Sequence, residues 1–193
     1  MKKKRNPQAG YLFKSFFCTG PLTGALATFS FSGCTEDQLI GMTLEGTWRG
    51  DMDIYHTYGG KSYEASWSEI CFSSDAFRFT QGTGYWLDQY SSSPWGRDYV
   101  ANHITWKVLN EVIYVHFEED NYNIEIHDYS LNNNRFIGTI WDGGTRVDFN
   151  LYKVDSPNWN NYYYGWDYYA KGDNGKVATP EPPVRHFGDP DKK

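Results

Sequence analysis

The chain has 193 residues, 18 Lys and Arg against 24 Asp and Glu, a formal net charge of −6 and an aromatic content of 19%. That acidic balance weighs against nucleic acid as a partner, since phosphate binding needs clustered Lys and Arg. It also weighs against docking on anionic lipid through a basic patch.

The first stretch carries Lys2, Lys3, Lys4, Arg5 and Lys14 and no acid, and an uncharged, largely apolar run from Ser15 to Ser32 leads into Phe31-Ser32-Gly33-Cys34. A basic end, an apolar middle and small residues at the cut are the layout of a secretory signal. A membrane-spanning helix fits less well. The run contains Gly20, Pro21 and Gly24 and is barely long enough for a hydrocarbon core of roughly 30 Å. With cysteine directly after the small residues, the segment resembles the lipobox of bacterial lipoproteins. The resemblance implies that 1–33 is a lipoprotein signal peptide and that Cys34 is acylated as the mature amino terminus. The protein would then hold the membrane through acyl chains. Removal of 1–33 takes away five basic residues and no acid, leaving 13 against 24, or −11. Only Cys34 and Cys71 remain, so no intrachain disulfide is expected, and Cys71 reads as a small buried residue.

Residues 34–43 read as a lipidated tether, able to reach about 30 Å when extended. Glu36-Asp37 beside Cys34 looks like the acid-rich export signal on surface lipoproteins of some Gram-negative bacteria. That implies a lipid-anchored, surface-exposed place on the bacterial outer membrane.

From Leu44 to Asp155 the pattern is strand-like alternation broken by turn residues. Trp48, Gly50, Met52 and Ile54 share one face of a first strand, with Arg49, Asp51 and Asp53 on the other. A second segment runs from Lys61 to Phe72, and a third carries Phe77 and Phe79. A loop through Ser91-Ser92-Ser93-Pro94 precedes Ile104, Trp106 and Val108. Ile113, Val115 and Phe117 follow, then Ile124 and Ile126, then Phe136, Gly138 and Ile140, then Val147, Phe149 and Leu151. Period-two segments at short, regular spacing predict an all-β, antiparallel up-and-down barrel of about eight strands, with an immunoglobulin-like β-sandwich as the alternative. The last hairpin can be read in register: with Gly143-Gly144 as a two-residue primed turn, Ile140 faces Val147, Gly138 faces Phe149 and Phe136 faces Leu151.

Gly46-Thr47-Trp48 at the start of the first strand, followed by about eight meandering strands, resembles the lipocalin-like or calycin superfamily. The run from Tyr129 to Gly138 (Tyr-Ser-Leu-Asn-Asn-Asn-Arg-Phe-Ile-Gly) is similar to a late hairpin of small lipocalin-like lipoprotein domains. The resemblance implies a barrel over 44–155, closed at one end by Trp48. A barrel of this size holds either its own side chains or one small ligand. The inward set of Trp48, Phe77, Phe79, Trp106, Phe117, Phe136 and Phe149 points to a filled core or a shallow pocket at one mouth.

Residues 156–170 form an aromatic strap with Trp159, Tyr162, Tyr163, Tyr164, Trp166, Tyr168 and Tyr169. It is expected to cover apolar barrel surface, because so many exposed rings would risk aggregation. The competing reading makes it an aromatic platform for sugar rings or a partner, with Trp159, Tyr163 and Trp166 as ligand-binding residues. Residues 171–193 are Pro-, Gly- and charge-rich and read as a disordered tail.

No motif of nucleophilic, metal-dependent or phosphate chemistry occurs. His116 with Glu118, His127 with Asp128, Asp51 and Asp53 with His56, and His103 all read as a solvated outer face rather than metal ligands. No cofactor is implied. The expectation is a non-catalytic cell-envelope lipoprotein that binds a glycan or an envelope protein. An apolar-ligand carrier and a glycan-active enzyme are the alternatives.

Overall fold

The structure is a computed structural model that describes residues 35–166, 182–188 and 190. The expected signal segment, Cys34, residues 167–170 of the strap and 171–181, 189 and 191–193 of the tail lie outside the described residues.

The stretch read as a tether is instead helix α1 (Glu36–Leu44). Thr35 is its N-cap. The Thr35 hydroxyl accepts from the Gln38 backbone N–H at 3.4 Å, while Gln38 Oε1 accepts from the Thr35 N–H at 2.9 Å, a reciprocal capping box. Glu36 and Asp37 occupy the first turn, where the helix dipole favours negative charge. A Cβ on Gly41 would lie 1.8 Å from the Phe79 carbonyl oxygen, so only glycine lets the helix backbone rest on a strand backbone. At the other end of α1, Trp48 Nε1 donates to the Leu44 carbonyl at 2.7 Å and satisfies a carbonyl that the helix leaves open.

Strand β1 (Gly46–Asp51) follows the helix; β2 (Ile54–Tyr58) and β3 (Lys61–Glu64) make a hairpin; and β4 (Trp67–Asp75), β5 (Arg78–Gln89) and β6 (Tyr99–Leu109) come next. The chain continues through β7 (Val112–Phe117), β8 (Tyr122–Leu131), β9 (Arg135–Asp142) and β10 (Thr145–Val154), and ends in β11 (Val184–Phe187). β4 to β10 meander, each pairing antiparallel with the next, and β1 pairs with both β10 and β4. The result is a closed eight-strand up-and-down barrel. An unbroken ladder round the barrel leaves no place for the sandwich alternative. β11, β2 and β3 form a separate three-stranded sheet.

The single first strand expected from Trp48 to Ile54 is broken in two. Asp53 has a left-handed φ of 46° and its N–H donates to Asp51 Oδ1 at 3.0 Å, which turns the chain out of the barrel. The segment from Lys61 to Phe72 splits likewise. Ala65 N–H donates to Ile54 O in the small sheet at 2.8 Å, and the next amide, Ser66, donates to Gln89 O in the barrel at 2.7 Å. The chain changes sheets between those two residues.

Trp48, Trp106, Phe117, Phe136 and Phe149 are buried in the core as expected, but Phe77 is 93% exposed and Phe79 41%. In β5 the buried residues on the core parity are Gly84, Trp86 and Asp88, so odd-numbered Phe79 points outward. The pairing of β4 with β5 also shifts between Ser74 and Asp75. A one-residue change of register exchanges the two faces. The β9–β10 hairpin has the expected register, with Val147 opposite Ile140, Phe149 opposite Gly138 and Leu151 opposite Phe136. Gly143 and Gly144 take φ of 52° and 105° at its turn, a backbone that glycine adopts without strain.

The disordered-tail reading fails for its described part. Val184–Phe187 is a strand paired with β2, and Phe187 is buried in the barrel core cluster.

Candidate functional site

The barrel interior is packed with its own side chains. Trp48, Trp86, Phe117 and Phe136 are all fully buried, and Phe117 lies edge-on to Trp86 at 5.0 Å between ring centroids. At the end of the barrel opposite α1 the inward positions become polar. Parity carries the inner face from Ile70 to Ser68 in β4, from Trp86 to Asp88 in β5 and from Ile104 to Asn102 in β6, and all three polar residues are buried.

Arg185 of β11 fills that mouth. Its Nε donates to Asp88 Oδ2 at 2.9 Å, one terminal nitrogen donates to Asp120 Oδ2 at 3.0 Å and the other to Asn102 Oδ1 at 2.7 Å. The guanidinium carbon stands 4.4 Å from the Phe117 ring centroid. Asp88 Oδ1 in turn accepts from Ser68 Oγ at 2.7 Å and from Trp86 Nε1 at 2.9 Å. A buried charge needs this density of partners, because desolvation otherwise outweighs the ionic attraction. Next to it the Tyr90 hydroxyl and His56 Nδ1 share a hydrogen bond. Burial, with Arg185 and His186 close by, holds His56 well below the usual imidazole range. Burial and the Asp88 carboxylate push the Tyr90 hydroxyl up.

On the outer wall, across β4 to β9, an open groove of about 960 Å³ is lined by Ser73, Gln81, Thr83, Thr105, Tyr114, His116, Asn123 and Glu125, among others, with Trp141 at its β9 side. These are outward residues of their strands, and the core residues Trp106, Val115 and Ile124 also contribute to the lining. Trp141 is held between His127, stacked at 4.0 Å, and the Arg146 guanidinium at 4.0 Å. Its Nε1 is buried without a hydrogen-bond partner among the described residues.

The described part of the strap runs over the outer face of β5 and β6. Trp159 stacks on Tyr85 at 5.0 Å with an interplanar angle of 15°, and Tyr164 lies 4.0 Å from the His103 ring. Gly165 N–H donates to Ala101 O at 3.1 Å, and Arg97 donates to the Tyr163 carbonyl at 2.7 Å. Of the three residues expected as a ligand platform, Tyr163 and Trp166 both flank the Arg97 guanidinium, 5.7 Å from each ring centroid. Trp159 packs on the barrel wall, Trp166 meets Trp95 edge-on at 6.4 Å, and Tyr163 is 52% exposed.

The histidines read as a solvated face divide. His103 pairs with Glu119 at 2.5 Å, His116 with Asn123 at 2.9 Å and His127 with Glu125 at 2.7 Å on the outer surface. His56 is the correction: it is 1% exposed, because β2 leaves the barrel and lays that residue across the mouth. Sequence reasoning missed Asp88, Asn102 and Arg185. Asp88 could have been found from its shared parity with Trp86. Arg185 gave only a short Val-Arg-His-Phe run inside a Pro- and Gly-rich tail.

No curated protein matches the chain. A solved structure of a redesigned beta barrel is similar at 12% sequence identity with a TM-score of 0.34, covering 60% of this chain and 95% of that one. The family model of the lipocalin-like domain matches residues 44–138, from the end of α1 into β9. A lipocalin-like barrel is typically a binding fold rather than a catalytic one. With that match and a closed eight-strand up-and-down barrel, this chain carries a lipocalin-like domain.

Proposed function

We propose that the protein is a non-catalytic binding module of the bacterial cell envelope, held by acyl chains on Cys34 and displayed on the outer membrane, and that it binds glycan on the outer wall of its barrel. One observation carries the choice of surface. The interior that a carrier would use is packed, whereas the outer groove of about 960 Å³ is open and lined by hydroxyl, amide and aromatic groups. Sugars offer many hydroxyls and weakly apolar ring faces, which suit Gln81, Asn123 and His116 beside the Tyr114 ring. The same packing disfavours the apolar-ligand carrier.

A glycan array probed with the mature domain should give hits, and Tyr114→Ala should weaken the best hit about tenfold while the fold is kept. An array without hits, or equal binding by the variant, overturns the glycan reading. The anchor has its own test: labelled palmitate should enter the wild type and not Cys34→Ser.

A further inference from the structure

β11 is bound to the rest of the chain in the way an extended peptide is bound by a receptor. Its backbone adds to the β2 edge, with Val184 opposite Thr57 and Phe187 opposite Ile54, and the Gly188 N–H continues the ladder to Asp53 O at 2.7 Å. Alternate side chains then drop into separate pockets. Arg185 enters the acidic mouth and is 7% exposed, Phe187 is 5% exposed, and Val184 between solvent and sheet is 50% exposed. The Phe187 pocket is walled by Trp86 at 6.3 Å and Tyr122 at 6.5 Å between ring centroids. Main-chain ladder bonds for affinity and alternate pockets for specificity define strand addition as a recognition mode.

The chemistry of the arginine pocket supports recognition over mere stability. A buried ion pair seldom adds net stability over apolar residues of the same volume, yet it discriminates sharply against any side chain that leaves a charge unpaired. Asp88, Asp120 and Asn102 present acceptors to three separate guanidinium nitrogens, and Phe117 offers its ring face. A lysine ammonium, a point charge on a flexible stem, cannot satisfy that fork. The site therefore has a readable preference, Arg-x-Phe in an extended strand.

From this we infer that the β2 edge and the barrel mouth are a peptide-recognition site for an extended Arg-x-Phe segment of a partner protein, and that residues 184–187 are its resident occupant. The resident strand keeps the mouth closed, and a partner segment binds by displacing it. This site lies apart from the outer-wall groove and does not depend on the glycan reading.

The test uses the full chain with a specific protease site placed within residues 172–176, cut after folding. A fluorescent peptide of residues 182–190 should bind the cut protein saturably, and at least tenfold more tightly than it binds the uncut protein. Arg185→Lys and Phe187→Ala peptides should each bind at least tenfold more weakly. Absence of uptake by the cut protein, equal uptake of the wild-type and Arg185→Lys peptides, or equal affinity of cut and uncut protein overturns the proposal. Where cutting destroys the fold, hydrogen exchange on the uncut chain decides. Excess wild-type peptide should speed exchange of the β11 amides and leave β1 and β10 protected, and unchanged β11 exchange overturns the proposal. Exchange-competent dimers of the uncut chain, seen by native mass spectrometry without added peptide, overturn the partner in favour of a second copy.

Discussion

At one end of the barrel, α1 lies with Gly41 against the Phe79 backbone and Leu44 and Trp48 fully buried beneath it. At the other end, β11 inserts a guanidinium among two carboxylates and an amide. The α1 end is also tied by a carboxylate, but at its rim. Asp37 accepts from the Asn110 N–H at 3.0 Å and the Glu111 N–H at 2.8 Å, both residues having left-handed φ. The first closure depends on shape and apolar contact, and its losses are graded with the volume removed or added. The second depends on mutual satisfaction of buried charges, so the loss of any member exposes the cost of the rest. Two closures of one barrel thus differ in kind: one tolerates small changes, the other distinguishes its occupant.

The sharpest way to break this contrast is Asp88→Ala. It leaves the buried Arg185 without its principal counter-charge and should cost about 3–5 kcal/mol in urea unfolding. A double variant, Asp88→Leu with Arg185→Met, should recover much of that loss, and simple additivity of the two single losses would remove the argument for a coupled charged closure. At the α1 end, Gly41→Leu should cost about 1–3 kcal/mol by forcing the helix off β5. Stability within error of wild type would show that α1 does not seal that end.

The third expectation concerns pH. The folded state holds His56 below its unfolded value of about 6.5, so the unfolded chain binds a proton that the native mouth resists. This contribution is fully present above about pH 6.5 and is lost as pH falls toward the lower native value. The slope from one proton is at most about 1.4 kcal/mol per pH unit. Urea stability should therefore decline between pH 7.5 and 5.5, and His56→Gln should flatten the decline; an identical slope in the variant would place the titration elsewhere. The smallest change is Thr35→Ala, which removes the capping hydroxyl of α1 and should cost about 1 kcal/mol. A clearly larger loss would mean that the α1 end is as unforgiving as the mouth.

The barrel itself was legible. Alternation located the inner residues of β6 to β10, and the glycine pair at 143–144 gave the last hairpin its register. What failed was local chemistry hidden under composition. Thr35 with Gln38 announced a helix, yet Glu36 and Asp37 made the segment read as linker. Phe77 and Phe79 read as inward because large apolar rings usually are, whereas the parity carried back from Trp86 puts Phe79 outside. The charged mouth was the least legible part. It joins residues 88, 102, 120 and 185, and no local pattern expresses a partnership over that separation. Strand β11 hid because four residues cannot outweigh a tail of Pro, Gly and charge.

Helix α1 also sets a lever arm. A flexible run of nine residues would reach about 30 Å, but as helix the nine residues of α1 rise only about 14 Å, and they lie docked on the barrel. The helix cap, Thr35, is the residue directly after Cys34. In the proposed anchored form there is accordingly almost no slack between lipid and domain. The barrel would stand on its α1 end like a post, with the β11 mouth turned toward the medium and its swing limited to the rocking of a rigid body at the headgroups.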